Sequence, residues 1–428
     1  MLNITAISRI SLSIMISTML LFVGCKELGV HLHGQKSDES GVEEIGDIDP
    51  VMTPFNVDVP QGITEFGFNL FDAIWKTEQN QNIFISPLSV SIALTMTLNG
   101  ASGETEQAMI DSLQLQGIDR DSINSTYQQL QHILLTNDSK VTLTIANSLW
   151  GHQAVQFRQD FLQQNTHYFN AEISSLDFSN PTTLSTINQW VSENTNGKIT
   201  EILDRIASNE VLFLINAIYF KGAWQNEFDP SQTKDGIFHL SSGNEKTVPT
   251  MSRTGNYEVF GGENFQAINL PYGEGKVSMY VFLPSQNSDL NEFLNVVNSE
   301  NWEEWLSDFR VRNVRLQIPK FKIEYGTKEL NDALTALGMG VAFDADHADF
   351  SRMAFLDRIN GNLYITKVSH KTFIEVNEEG TEAAAATSVG IGVKSLLPPP
   401  FIVDRPFFFA IRDNETKTII FMGTMTEP

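Results

Sequence analysis

Downstream of residue 60 the apolar positions follow first a helical and then a strand period. Phe66, Leu70, Ala73 and Ile74 fall on one helical face. Ser86-Pro87 predicts a second helix, with Ser86 as its N-cap and Pro87 at the first helical position. Val90, Ala93, Leu94 and Leu98 carry that helix to a stop at Asn99-Gly100. Val141, Leu143 and Ile145 then alternate with polar or small residues, as a half-buried strand requires. Val211–Phe220 and Val277–Leu283 are almost continuously apolar, the pattern of strands covered on both faces. Val314, Leu316 and Ile318 alternate again up to Pro319. Phe407–Ile411 and Thr418–Met422 flank Asp413-Asn414-Glu415-Thr416, a hairpin pattern. Helices come early and strands dominate late, so the class is α+β with large mixed sheets.

The first 60 residues read differently. Residues 10–24 are apolar, follow Arg9 and end at Gly24-Cys25, the layout of a secretory signal rather than a membrane span. Leu21-Phe22-Val23-Gly24-Cys25 resembles the lipobox of bacterial lipoproteins, with Phe22 where leucine is commoner. That resemblance implies a signal over 1–24, acylation of Cys25 and a membrane anchor on the bacterial cell envelope. An acylated N-terminus with two or more chains anchors stably. Residues 25–60 are polar and acidic without sustained periodicity, which predicts a flexible tether leading to one large domain over 61–428. Cys25 is the only cysteine, so the exported protein has no intramolecular disulfide and its core alone must hold it.

Charge narrows the partners. With 28 Lys and Arg against 52 Asp and Glu, the formal net charge is −24. Such a field repels phosphate backbones, so nucleic acid is excluded as a partner. The chain contains no G-x-S-x-G elbow, no H-E-x-x-H and no phosphate-binding glycine loop. His31 and His33 lie in the tether, where they are solvated. His347 among Asp344, Asp346 and Asp349 reads as an exposed acidic loop without the ligand spacing of a metal site. No metal, cofactor or catalytic residue is assigned.

Residues 378–406 are the informative stretch, longer than an ordinary connection and set between two strand patterns. The alanine run reads either as a short helix capped by Thr381 or as a strand. As a strand it divides into two tracks. Thr381, Ala383, Ala385, Thr387, Val389, Ile391 and Val393 are small, then apolar. Glu382, Ala384, Ala386, Ser388, Gly390, Gly392 and Lys394 carry the charges. No proline interrupts 380–394, so every N–H in it can join a ladder.

Glu378-x-Gly380-Thr381-Glu382-Ala383-Ala384-Ala385-Ala386 resembles the loop hinge of inhibitory serpins, and Val403-Asp404-Arg405-Pro406-Phe407-Phe408-Phe409 resembles that family's C-terminal signature. Asn82–Ser89, Asn196–Ile199, Asn216–Trp224 and Lys367–Lys371 are further matches in family order. The resemblance implies helices packed on three mixed β-sheets with a long exposed reactive loop at about 378–405. It implies a suicide substrate rather than an enzyme: a serine protease attacks the loop, and the cut loop inserts into the largest sheet before the acyl-enzyme is hydrolysed. Family spacing from Gly380 places the reactive bond at Lys394–Ser395, a bait for trypsin-like proteases in a 1:1 covalent complex with a monomer. Ser86, Ser89, Asn216 and His370 match a polar cluster under the central sheet where strands part. Lys320 and Glu378 match an ion pair at its top, and Trp224 a tryptophan beside the insertion point. Glu378 shares the parity of Ile374 and Val376, so its carboxylate points inward and requires a partner. A non-inhibitory serpin serving as a binding or scaffold module is the alternative, with a hydrolase behind it.

Overall fold

The computed structural model describes residues 54–207, 210–356, 362–381 and 398–428. The lipobox at Cys25, the tether up to residue 53 and the loop residues Glu382, Ala383, Ala384, Ala385, Ala386, Lys394 and Ser395 lie outside the described residues.

Helices dominate the first part: α1 (Asp58–Trp75), α2 (Pro87–Leu98), α3 (Gly103–Ser112), α4 (Arg120–Thr136), α5 (Gln159–Phe169) and α6 (Thr182–Asn194). Helix α1 thus begins at Asp58, just before the expected domain boundary at residue 61. Asp58, Val59 and Pro60 form the first turn of α1, with Val59 and Pro60 buried. Proline reads as a loop residue, yet the first turn tolerates it because those N–H groups have no intrahelical partner. Helix α2 begins as expected: Ser86 is extended and its side chain accepts from the Ser89 N–H at 3.1 Å, with Pro87 following. Nearly all its residues are buried, as expected for a helix apolar all round its circumference.

Two sheets account for the strands among the described residues. The six-stranded sheet contains β2 (Val141–His152), β3 (Glu172–Leu176), β4 (Leu212–Ala223), β10 (Phe321–Glu329), β11 (Ser369–Val376) and β12 (Gly380–Thr381), in the order β10-β11-β12-β4-β2-β3. The nine-stranded sheet contains β1 (Ile83–Ile85), β5 (Lys234–His239), β6 (Glu245–Gly261), β7 (Phe265–Tyr272), β8 (Val277–Pro284), β9 (Arg310–Pro319), β13 (Pro400–Ile402), β14 (Phe407–Asp413) and β15 (Ile419–Met425). The resemblance led us to expect three sheets. Strand β6 is 17 residues long and pairs with β5, β9 and β7 in succession, so two of the three share one unbroken ladder.

Short helices α7 (Leu290–Leu294) and α8 (Ser299–Ser307) cover the nine-stranded sheet through an aromatic cluster. In it, Phe282 lies 5.5 Å from Phe293 and 5.1 Å from Trp302, ring centre to ring centre. Strand β8 is buried along its whole length between β7 and β14, as its unbroken apolar run predicts. In β9, Val314, Leu316, Ile318 and Pro319 are the buried positions, and Asp413 accepts from the Thr416 N–H at 2.7 Å in the turn between β14 and β15.

Candidate functional site

The six-stranded sheet has a gap in its middle. Strand β4 pairs with β2 from Leu212 to Gly222, and β11 pairs with β10 from Ser369 to Val376. Among the described residues β4 and β11 never pair with each other. Only β12 bridges them, through Val376 opposite Thr381, Gly380 opposite Ala223 and Thr381 opposite Gly222. The start of the alanine segment is therefore already a strand at Thr381, rather than a helix cap.

Side chains fix this two-residue rung. A Cβ on Gly380 would lie 2.1 Å from the Gly222 carbonyl oxygen, and φ at Gly380 is +152°, so only glycine fits. Thr381 is buried with its hydroxyl 2.8 Å from that of Tyr272. Tyr272 stacks on Trp224 at 4.5 Å with 12° between the rings. The Trp224 indole N–H donates to the Asn377 carbonyl at 2.9 Å, and its backbone N–H donates to the Glu379 carbonyl at 2.8 Å.

Glu378 turns inward, as strand parity predicts, and finds two partners. Its carboxylate lies 2.8 Å from Lys320 Nζ and accepts from the Thr233 hydroxyl at 2.8 Å. Burial pushes this carboxyl's pKa up, but the bonds from Lys320 and Thr233 outweigh it and hold the group below the ordinary carboxylate range.

A second polar group sits lower in the gap. His370 is buried on the β11 face that also carries Thr372 and Ile374. Its Nε2 accepts from the Ser86 N–H at 3.0 Å, which places the proton on Nδ1. Burial drives the His370 pKa down to about 4, so the ring is neutral. Ser86 Oγ donates to the Ile420 carbonyl at 2.7 Å while accepting from Ser89, tying α2 to β15. Asn216 departs from the expected cluster. Its carboxamide donates to Asn147 Oδ1 at 2.7 Å rather than to His370, and its own Oδ1 is buried without a partner. Asn147 in turn donates to Gln131 and to the Phe169 carbonyl. With β4 and β11 apart, the neighbouring strand β2 is the partner within reach.

The gap opens into a cavity of about 560 Å³ lined by Asn216, Ser89, His370, Leu94, Phe350 and Leu363, among others. Its walls come from the first residues of β4, residues 362–370 leading into β11, Phe350 and Met353, and the Ser89–Thr97 part of α2. Tyr272 and Thr233 were not singled out from sequence. Both act across more than a hundred residues, and neither belongs to a motif, so no local signal marks them.

Residues 61–428 match the family described as Serpin (serine protease inhibitor). The chain is 37% identical over 377 residues to a leukocyte elastase inhibitor of Xenopus tropicalis, covering 85% of this chain and 98% of the relative. It is also 37% identical to human Serpin B11, again covering 85% and 98%. The native-state crystal structure of the thermophilic serpin Tengpin aligns with a TM-score of 0.78 at 36% identity, over 86% of this chain and 94% of that one. The fold, the gap between β4 and β11 and these relatives agree: the chain belongs to the serpin family of serine protease inhibitors.

Proposed function

We propose that this serpin is an inhibitory one, directed at trypsin-like proteases through Lys394–Ser395. The gap between β4 and β11, with Gly380 and Thr381 already seated in its upper end, carries the reading. As a strand, residues 382–394 span roughly 43 Å at about 3.3 Å per residue, close to the roughly 40 Å of β4. Full insertion would carry Lys394 to the far end of the sheet. The protease serine oxygen attacks the Lys394 carbonyl carbon, the Lys394–Ser395 amide breaks with release of the Ser395 amine, and the ester joins the two proteins. Insertion then removes the ester from its water before hydrolysis. The neutral inward track from Thr381 to Val393 suits this step, because a charge on it would have to be desolvated at several kcal/mol. A relative named as an elastase inhibitor supports an inhibitory role. Lysine at the bait suits a specificity pocket with a buried carboxylate.

Incubation with trypsin tests the reading. We expect a complex that survives denaturing electrophoresis and a cut after Lys394. Cleavage without a complex would instead mark a non-inhibitory serpin, and turnover of added substrate a hydrolase. We also propose that the protein is exported and anchored in the bacterial envelope through acylated Cys25. Labelling of the wild type but not of Cys25→Ser with a clickable fatty acid is the expected outcome; equal labelling overturns it.

A further inference from the structure

Strand β9 carries an arginine that the fold leaves without a counter-charge. Val314, Leu316 and Ile318 are buried on one face of β9, so Val311, Asn313 and Arg315 lie on the opposite, outward face. Arg315 is half-buried. Its Nε–H is enclosed without a hydrogen-bond partner, and among the described residues no carboxylate reaches its guanidinium. The enclosed atom is Nε alone, so the Nη ends of the fork stay open to an incoming anion. Its cross-strand neighbours, Thr254 on β6 and Pro400 on β13, are neutral. A guanidinium held partly out of water keeps its charge and requires an anion to offset the lost hydration. Acidic residues outnumber basic ones by 52 to 28, yet none is placed here.

The return of the reactive loop fixes where this arginine sits. The Arg315 backbone N–H donates to the Pro399 carbonyl at 3.1 Å, and Ser395 stands four residues before Pro399. Four extended residues reach at most about 14 Å. An interface of standard size covers about 800 Å² of each partner, a disc of about 16 Å radius. A protease seated on Lys394–Ser395 therefore reaches Arg315 with the part of its cleft that receives the residues after the cut bond.

The surroundings suit a protein partner. Val311 is 66% exposed, and the Asn313 amide donates to Asn256 at 3.0 Å between it and Arg315. Strand β13 pairs only with Arg315 to Gln317, so among the described residues the β9 backbone from Arg310 to Val314 is laddered on the β6 side alone. An arginine beside exposed apolar surface is a common anchor of protein interfaces. A polyanion would need several clustered cations, whereas Arg310 is paired with Asp308, Arg312 has the opposite parity and the net charge is −24. We propose that this face of β9 is a docking surface for the target protease, which places a carboxylate of its primed side on Arg315. The proposal rests on the reading of Lys394–Ser395 as the bait.

Trypsin with its active-site serine replaced by alanine separates docking from inhibition, because it binds the loop without forming an acyl-enzyme. Single lysines and glutamines rimming its primed subsites are changed to glutamate, and binding to the full-chain protein is measured by surface plasmon resonance. We expect at least one glutamate to tighten binding at least about tenfold, and Arg315→Gln to abolish that gain. The gain should shrink at least about threefold between about 50 and 500 mM NaCl. Should Arg315→Gln unfold the protein, Asn313→Glu, at an exposed position, should remove the gain with the melting temperature unchanged. No glutamate that tightens binding, a gain that survives Arg315→Gln, or one indifferent to Asn313→Glu would each overturn the proposal. Active trypsin answers the other question. Docking that depends on Arg315 without a covalent complex supports the docking surface and overturns the inhibitory reading; a covalent complex with no glutamate effect overturns the docking surface alone.

Discussion

Individual side chains set the conditions under which the gap holds. His370 is neutral because it is buried, and Ser86 occupies the one ring nitrogen that lacks a proton. Its pKa is about 4 folded against about 6.5 unfolded, so the unfolded chain binds more protons between those values. The stabilisation is complete above about pH 6.5 and is lost as the pH falls toward 4, at most about 3 kcal/mol. Urea unfolding across that window should show the slope, and His370→Asn should flatten it; an unchanged slope would count against the assignment. Glu378 behaves similarly at lower pH, because its carboxyl is held below the unfolded value: its contribution is full above about 4.5 and fades as the pH falls further. Lys320 is partly exposed, which limits the pair itself to about 1 kcal/mol. Glu378→Lys sets two cations against each other and leaves Thr233 unpaired. We expect it to loosen the rung at β12 and promote loop–sheet polymers on size exclusion; a monomeric variant with full inhibition would argue otherwise.

At the level of elements, the weakest link is the shortest strand. Strand β12 is two residues long and relies on a glycine pressed against the β4 backbone. Gly380→Ala should displace it, and hydrogen exchange at Asn377, whose N–H donates to the Gly380 carbonyl, and at Trp224, whose N–H donates to the Glu379 carbonyl, should accelerate at least about tenfold; unchanged protection would show that the rung tolerates the methyl. Much of this was legible in the sequence. The Ser86-Pro87 cap, the parity of His370 and Glu378 and the unbroken apolar run of β8 follow from periods of 3.6 and 2. Other features were hidden for physical reasons. The pairing of Asn216 depends on whether β4 and β11 touch, a tertiary choice that no local pattern records. Tyr272 reaches Thr381 only because two sheets meet there, and Pro60 conceals the start of α1 because proline signals both loops and first turns.

For the molecule as a whole, stability without disulfides must come from packing, and the cavity where β4 and β11 stand apart among the described residues leaves part of that packing undone. Cleavage by trypsin after Lys394 should therefore raise the melting temperature well beyond the ~2–4 °C that 1 kcal/mol produces in a mid-sized domain. An unchanged or lower value would mean that the cut loop stays outside. Among the described residues the gap also divides the sheet into two leaves, β10–β11 on one side and β4–β2–β3 on the other, held at one latch by β12. Neighbouring strands sit about 4.8 Å apart, and a ladder that is half a spacing wide bonds to neither side. The leaves can therefore be separated by one strand or by none, but not by a fraction. A sheet built this way counts in whole strands, as a ratchet counts in teeth, and once a loop passes the latch each further residue has only one direction in which its backbone is satisfied.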